Sequence, residues 1–210
     1  MSHDYTLYLV TEESVPVGNL LHIVEQAVKG GVTMVQLREK KTDGKLFYEK
    51  AAKLKELLDR YSVPLIINDR IDVALAVDAA GVHVGQSDMP LPAIKKIVPP
   101  NMLVGVSVST VEEAMKAEME GAAYIGVGAI FPTQSKDNAK VLPTGMLESI
   151  IGAVNIPIVA IGGIKIDNLL EIREKEIAGI AVVSGIMQAE SPFAAAKEFR
   201  QTFKENLLLG

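Results

Sequence analysis

Two aspartates, Asp69 and Asp88, each stand just after a short apolar run, so carboxylates from different segments can meet at one place. With substrate phosphates and water, such a pair is an oxygen-ligand set suited to Mg2+. A lone Asp at such a position more often caps the following helix. Asn68 beside Asp69, and Gln86 two residues before Asp88, shift the balance toward a shared site. Asp72 and Asp78 read as capping or solvent-facing groups. Another apolar run, residues 32–35, ends in Gln36-Leu37-Arg38-Glu39-Lys40. If the strand persists, Gln36, Arg38 and Lys40 point one way and Glu39 the other. The plainer alternative is a charged rim that keeps the protein soluble.

Two further turns follow apolar strands: Gly162-Gly163-Ile164 and Val183-Ser184-Gly185. Backbone N–H groups at such late turns commonly hold a phosphate, and two on consecutive strands, the second with a hydroxyl, favour that over simple turn chemistry. Phe131-Pro132-Thr133-Gln134-Ser135-Lys136 opens a long loop with hydroxyl, amide and ammonium groups that can engage an anion, or stay solvated. Cation clusters, a carboxylate pair and a phosphate cradle together suggest a substrate with more than one phosphate group. His83, in an apolar strand, reads as a satisfied core group, and the three histidines assemble neither a Ser/His/Asp set nor a zinc site. Methionines and aromatics read as packing.

These residues need a frame, and β-branched runs alternating with amphipathic segments specify parallel strands with crossover helices. Strands are expected at Tyr5–Val10, Thr33–Leu37, Pro64–Ile67, Val82–Val84, Leu103–Val106, Ala123–Val127, Ile158–Ile161 and Ile180–Val183. Helices are expected at Leu20–Lys29, 45–60, Ile71–Val77, 91–97, Val111–Glu120, 145–153 and 193–206, with glycines at 31 and 121 as stops. About eight units without a Pro/Gly/Ser-rich divide give one (β/α)8 TIM barrel, an α/β fold occupying residues 1–210 as a single catalytic domain. A doubly wound sheet is the alternative. Both place function at the carboxyl ends of strands.

Composition narrows the setting. The chain has 210 residues, 49% of them hydrophobic, enough for a substantial core. A net charge of -5 argues against nucleic acid as a partner. No apolar run is long enough for a membrane span, no secretory signal opens the chain, and cysteine is absent, so a soluble cytoplasmic protein is expected. Exposed barrel helices commonly support association, which leaves a homo-oligomer open.

Seven segments in order, QLREK at 36–40, IIND at 66–69, GVHVGQSD at 81–88, GVSVST at 105–110, GVGAIFPTQSK at 126–136, AIGGI at 160–164 and VVSGI at 182–186, resemble the thiamine phosphate synthase family over about residues 5–205. The resemblance implies a transferase of thiamine biosynthesis. It would join 4-amino-5-hydroxymethyl-2-methylpyrimidine diphosphate to 4-methyl-5-hydroxyethylthiazole phosphate, with release of pyrophosphate in a dissociative step. It places Gln36, Leu37, Arg38, Glu39, Lys40, Asn68, Ser107 and Lys136 around the pyrimidine diphosphate, and makes Asp69 and Asp88 the Mg2+ ligands. Thr133, Gln134 and Ser135 fall at thiazole positions, while Gly163, Val183 and Ser184 hold its phosphate. Arg38, Lys40, Ser107 and Lys136 are the expected catalytic group. Of the residues at 36–40, Glu39 is the weakest candidate ligand, because alternation turns it away. Ser87 stands where relatives often have an acid, and Ser135 where threonine is frequent. A thiazole tautomerase shares the fold but does not need the diphosphate and metal apparatus; a non-catalytic binding protein would bind without turnover.

Overall fold

The computed structural model describes residues 3–13, 15–134, 140–172 and 176–208, and the side chains of the last helix through residue 206. Its eight strands are β1 (Leu7–Val10), β2 (Met34–Leu37), β3 (Leu65–Asn68), β4 (Gly81–Val84), β5 (Leu103–Val108), β6 (Tyr124–Val127), β7 (Ile158–Ile161) and β8 (Gly179–Val182). All neighbours are parallel, and β8 pairs back onto β1, with Tyr8 opposite Ala181. This closure is the expected TIM barrel and sets aside the open doubly wound sheet.

Between strands run α1 (Val17–Gly30), α2 (Gly44–Asp59), α3 (Ile71–Ala76), α4 (Leu91–Ile94), α5 (Val111–Met119) and α6 (Met146–Ile151). After β8 come α7 (Ser184–Met187) and α8 (Pro192–Leu208). Asp43 caps α2 by accepting from the Leu46 N–H at 3.0 Å, and Thr110 caps α5 by accepting from Glu113. α1 closes at Gly31, whose φ of 117° is the left-handed conformation glycine takes without strain. Between β7 and β8 the described residues form only a 3-10 turn, Leu169–Glu171, so the seventh unit has no α-helix among them.

The core has two compartments. Leu, Ile and Val side chains pointing outward from the strands, such as Leu37, Leu65, Ile67 and Ile125, meet the helices in the larger one. Inside the barrel sit Tyr5, Tyr8, Val10, Met34, Ile66, Tyr124, Val159 and Ala181. A barrel interior is usually filled by layers of branched aliphatics; here three tyrosines share it with them, opposite inward-facing glycines. A Cβ on Gly105 would lie 2.2 Å from Tyr124 Cζ, so that glycine is the space the tyrosine ring occupies.

Candidate active site

The mouth is built first by the end of β2. Leu37 is wholly buried against the helices, which alternation requires if Gln36 and Arg38 face inward. Beyond the strand the same alternation continues. The Arg38 N–H donates to Thr11 Oγ1 at 3.1 Å, and its guanidinium pairs with Glu13 at 3.1 Å. Lys40 Nζ pairs with Asp69. Glu39 turns to the other side, where its carboxylate accepts from Lys50 of α2 and from Thr42. Leu37 and Glu39, both expected among the substrate-binding residues, therefore keep their side chains behind the mouth rather than in it.

Asp69 follows β3 with a φ of 61°, a left-handed backbone that Asp tolerates better than most residues. Its N–H donates to the His83 carbonyl at 2.9 Å, which ties the turn to β4. Burial pushes the Asp69 carboxyl above its ordinary range; Lys40 pulls it back, and the facing Asp88 carboxyl pushes it up again. Asp88 Oδ2 accepts from the Gly85 N–H at 2.7 Å, which folds the 85–88 turn over the end of β4. Asn68 is buried next to Asp69 in the chain, and its Nδ2 has no hydrogen-bond partner among the described residues. A buried amide nitrogen without an acceptor among the described residues is a donor open to a ligand oxygen.

Behind the mouth, five side chains from five strands form one continuous hydrogen-bonded chain. Gln36 Nε2 donates to Tyr8 OH at 2.9 Å, and Tyr8 OH lies 2.8 Å from Tyr124 OH. Tyr124 OH is 3.0 Å from His83 Nδ1, and His83 Nε2 is 2.9 Å from Ser107 Oγ. His83 is thus the satisfied interior group that its apolar strand suggested. Ser107 is not at the strand end but within β5, paired with Gly126. The tyrosines are packing residues and polar links at once, which scattered aromatics in a sequence do not reveal.

The other side of the mouth comes from β6, β7 and β8. The loop after β6 lies on the end of β7: the Ile130 N–H donates to Ile161 O at 3.0 Å, and the Phe131 N–H to Gly162 O at 2.9 Å. A Cβ on Gly163 would come 2.5 Å from Pro132 O, so this glycine is required by the loop packing whatever it binds. Asn168, which the sequence did not single out, holds the turn by donating to Gly163 O and accepting from the Lys165 N–H. Gln134 and Val183 join Arg38, Thr11 and Glu13 around a cavity of about 320 Å³. Ser184 opens α7 and lines a second cavity of about 480 Å³ with Lys165 and, from α8, Glu198 and Phe199. Thr133 lies in the same loop as Gln134, while Ser135 and Lys136 lie outside the described residues.

A closed parallel barrel whose strand ends gather guanidinium, ammonium, a carboxylate pair and two cavities is the layout of an enzyme acting on a small anionic substrate. Residues 7–186 match the family model described as thiamine monophosphate synthase. The chain is 49% identical over 201 residues to the thiamine-phosphate synthase of Methanobrevibacter smithii, covering 96% of each. It is also 49% identical over 203 residues to that of Clostridium tetani, covering 96% of this chain and 97% of the relative. A solved thiamine phosphate pyrophosphorylase from Pyrococcus furiosus superposes with a TM-score of 0.88 at 40% identity, covering 98% of each chain. The chain belongs to the thiamine monophosphate synthase family, and it is a transferase.

Proposed function

We propose that this protein forms thiamine phosphate by joining 4-amino-5-hydroxymethyl-2-methylpyrimidine diphosphate to 4-methyl-5-hydroxyethylthiazole phosphate, or its carboxylate form, with release of pyrophosphate and in the presence of Mg2+. The observation that carries the proposal is the cluster of Lys40, Asp69 and Asp88, with the Asn68 Nδ2 that has no partner among the described residues, at the mouth of a barrel of this family. Residues 1–210 act as one catalytic unit. A cytoplasmic setting is part of the proposal, supported by a cysteine-free chain. No described helix is long and apolar enough to cross a membrane.

The reaction asks for little covalent chemistry from the protein. Loss of pyrophosphate from a benzylic-type carbon leaves positive charge on the aminopyrimidine and negative charge on the leaving group. Arg38 and Lys40 answer the second, and Lys136 is assigned the same task. Among the described residues no cluster of three or more His, Cys, Asp or Glu could hold a metal. Asp69 and Asp88 nevertheless suit Mg2+: they are two hard carboxylates whose mutual repulsion a cation relieves, with substrate oxygens and water completing the shell. When bound there, Mg2+ supplies charge neutralisation to the departing diphosphate. Gln36, Asn68 and Ser107 orient the pyrimidine diphosphate, and Ser107 completes the catalytic group. Thr133, Gln134 and Ser135 contact the thiazole, and Gly163, Val183 and Ser184 hold its phosphate. Holding both partners makes the attack of the thiazole nitrogen effectively intramolecular.

The test is a coupling assay with purified protein and both substrates, with Mg2+ or with a chelator. Thiamine phosphate and pyrophosphate are expected in equal amounts with Mg2+ and neither with chelator; a well-folded preparation that forms no product refutes the proposal.

A further inference from the structure

The hydrogen-bonded chain inside the barrel has a direction, and that direction follows from counting protons. Tyr8 and Tyr124 are fully buried, and burial pushes both phenols far above their usual range, so each keeps its single hydrogen. Gln36 presents Nε2 to Tyr8. Tyr8 therefore accepts there and spends its own hydrogen on Tyr124. Tyr124 in turn has only His83 Nδ1 to donate to within the chain. His83 then carries its hydrogen on Nε2 and donates to Ser107 Oγ, which leaves the Ser107 hydroxyl hydrogen free to point away from the chain. Rotating the Gln36 amide reverses every link: Tyr8 donates to Gln36, His83 becomes the Nδ1–H tautomer, and Ser107 donates inward.

We propose that Tyr8, Tyr124 and His83 are positioning residues that couple Gln36 to Ser107 through this chain. They hold His83 as the Nε2–H tautomer, so that the mouth offers a carbonyl acceptor at Gln36 and a hydroxyl donor at Ser107 before any ligand arrives. No protein group among the described residues bonds to Gln36 Oε1. An acceptor and a donor fixed in opposite senses suit a ligand edge carrying both an amine and a ring nitrogen, such as an aminopyrimidine. Only this last step rests on the function proposed above; the tautomer does not. The inward glycines make the arrangement possible, since a Cβ on Gly105 would fall 2.5 Å from Tyr124 OH and one on Gly126 3.3 Å from His83 Cε1.

The experiment is 15N NMR of the full chain labelled at histidine, with the three histidine signals assigned by substituting His3 and His22. In the wild type, His83 Nδ1 is expected to be pyridine-like and Nε2 pyrrole-like. In Gln36→Glu the carboxylate can only accept from Tyr8, which reverses the chain, so the two signals should exchange although two tyrosines separate the substitution from the imidazole. A purely structural role would not move them. Tyr124→Phe, read at temperatures where circular dichroism shows a native fold, should lose the single tautomer. It should also lower kcat/KM for the pyrimidine diphosphate about tenfold, with the thiazole phosphate KM unchanged. A wild-type Nδ1–H tautomer overturns the proposal outright, as does a folded Gln36→Glu protein with wild-type signals. Should the coupling assay fail while the tautomers behave as stated, the functional reading falls and the relay stands.

Discussion

Glu39 and Lys40 are neighbours in the chain, and each forms an ion pair, yet the two pairs lie in different surroundings. Lys40 meets Asp69 at the mouth, where their side chains are 41% and 20% exposed. Glu39 meets Lys50 in the seam between barrel and helices, where both are almost wholly buried. The exposed pair is screened by water and can be exchanged for a ligand's charges at little cost. The buried pair has already lost its hydration, so neither partner can be removed without leaving a desolvated charge. Chain alternation alone separates the two places: one residue of the strand extension faces the mouth, and the next anchors α2 behind it.

Breaking the seam should have the largest effect. Lys50→Met is expected to cost about 3–5 kcal/mol, measured by urea unfolding, because the buried Glu39 carboxylate loses its cation. The double variant with Glu39→Leu should recover much of that loss. If Lys50→Met unfolds like the wild type, the seam pair is not the anchor described.

Breaking the mouth should spare the fold and damage turnover instead. Asp88→Asn is expected to lower kcat by about 10² to 10³, as loss of one preorganised electrostatic group does, with a midpoint of unfolding near the wild type. Wild-type rate and wild-type metal dependence in that variant would remove Asp88 from the site.

The smallest effect sharpens the comparison through pH. Burial, and after it the facing Asp88, hold the Asp69 carboxyl above its ordinary range against the pull of Lys40. Stability gained by keeping that proton is fully present below the unfolded-state value and is lost as pH rises through the raised one. In the proposed site Mg2+ competes with the same proton. The rise in Tm produced by Mg2+ should therefore shrink, from a few degrees near neutral pH toward zero near pH 4, when followed by calorimetry. A rise independent of pH would mean that the cation binds elsewhere.

Several of these groups are legible in order along the chain. Asp69, Asp88, Arg38 and Lys40 are polar residues that interrupt apolar runs, and a parallel sheet brings strand ends to one face regardless of details. The glycine after α1 and the opposite faces of Gln36 and Leu37 follow from local stereochemistry in the same way. Asn168 and Lys165 gave no such signal: they sit in a polar turn and acquire meaning only beside Gly163 and Ser184. The seventh unit, between whose strands no helix was expected, holds only a 3-10 turn among the described residues.

What the sequence determines by itself is therefore periodic and local: eight strands, the faces of each, and the charges at their ends. The ring closure of β8 onto β1, the left-handed turn at Asp69 and the interior relay were decided only by tertiary structure. Tyr8 and Tyr124 touch across 116 residues, at a place emptied by Gly105, and no pattern of hydrophobicity encodes which tyrosine will meet which glycine. Periodicity fixes the side of a strand on which a residue lies; barrel closure and register fix what it finds there.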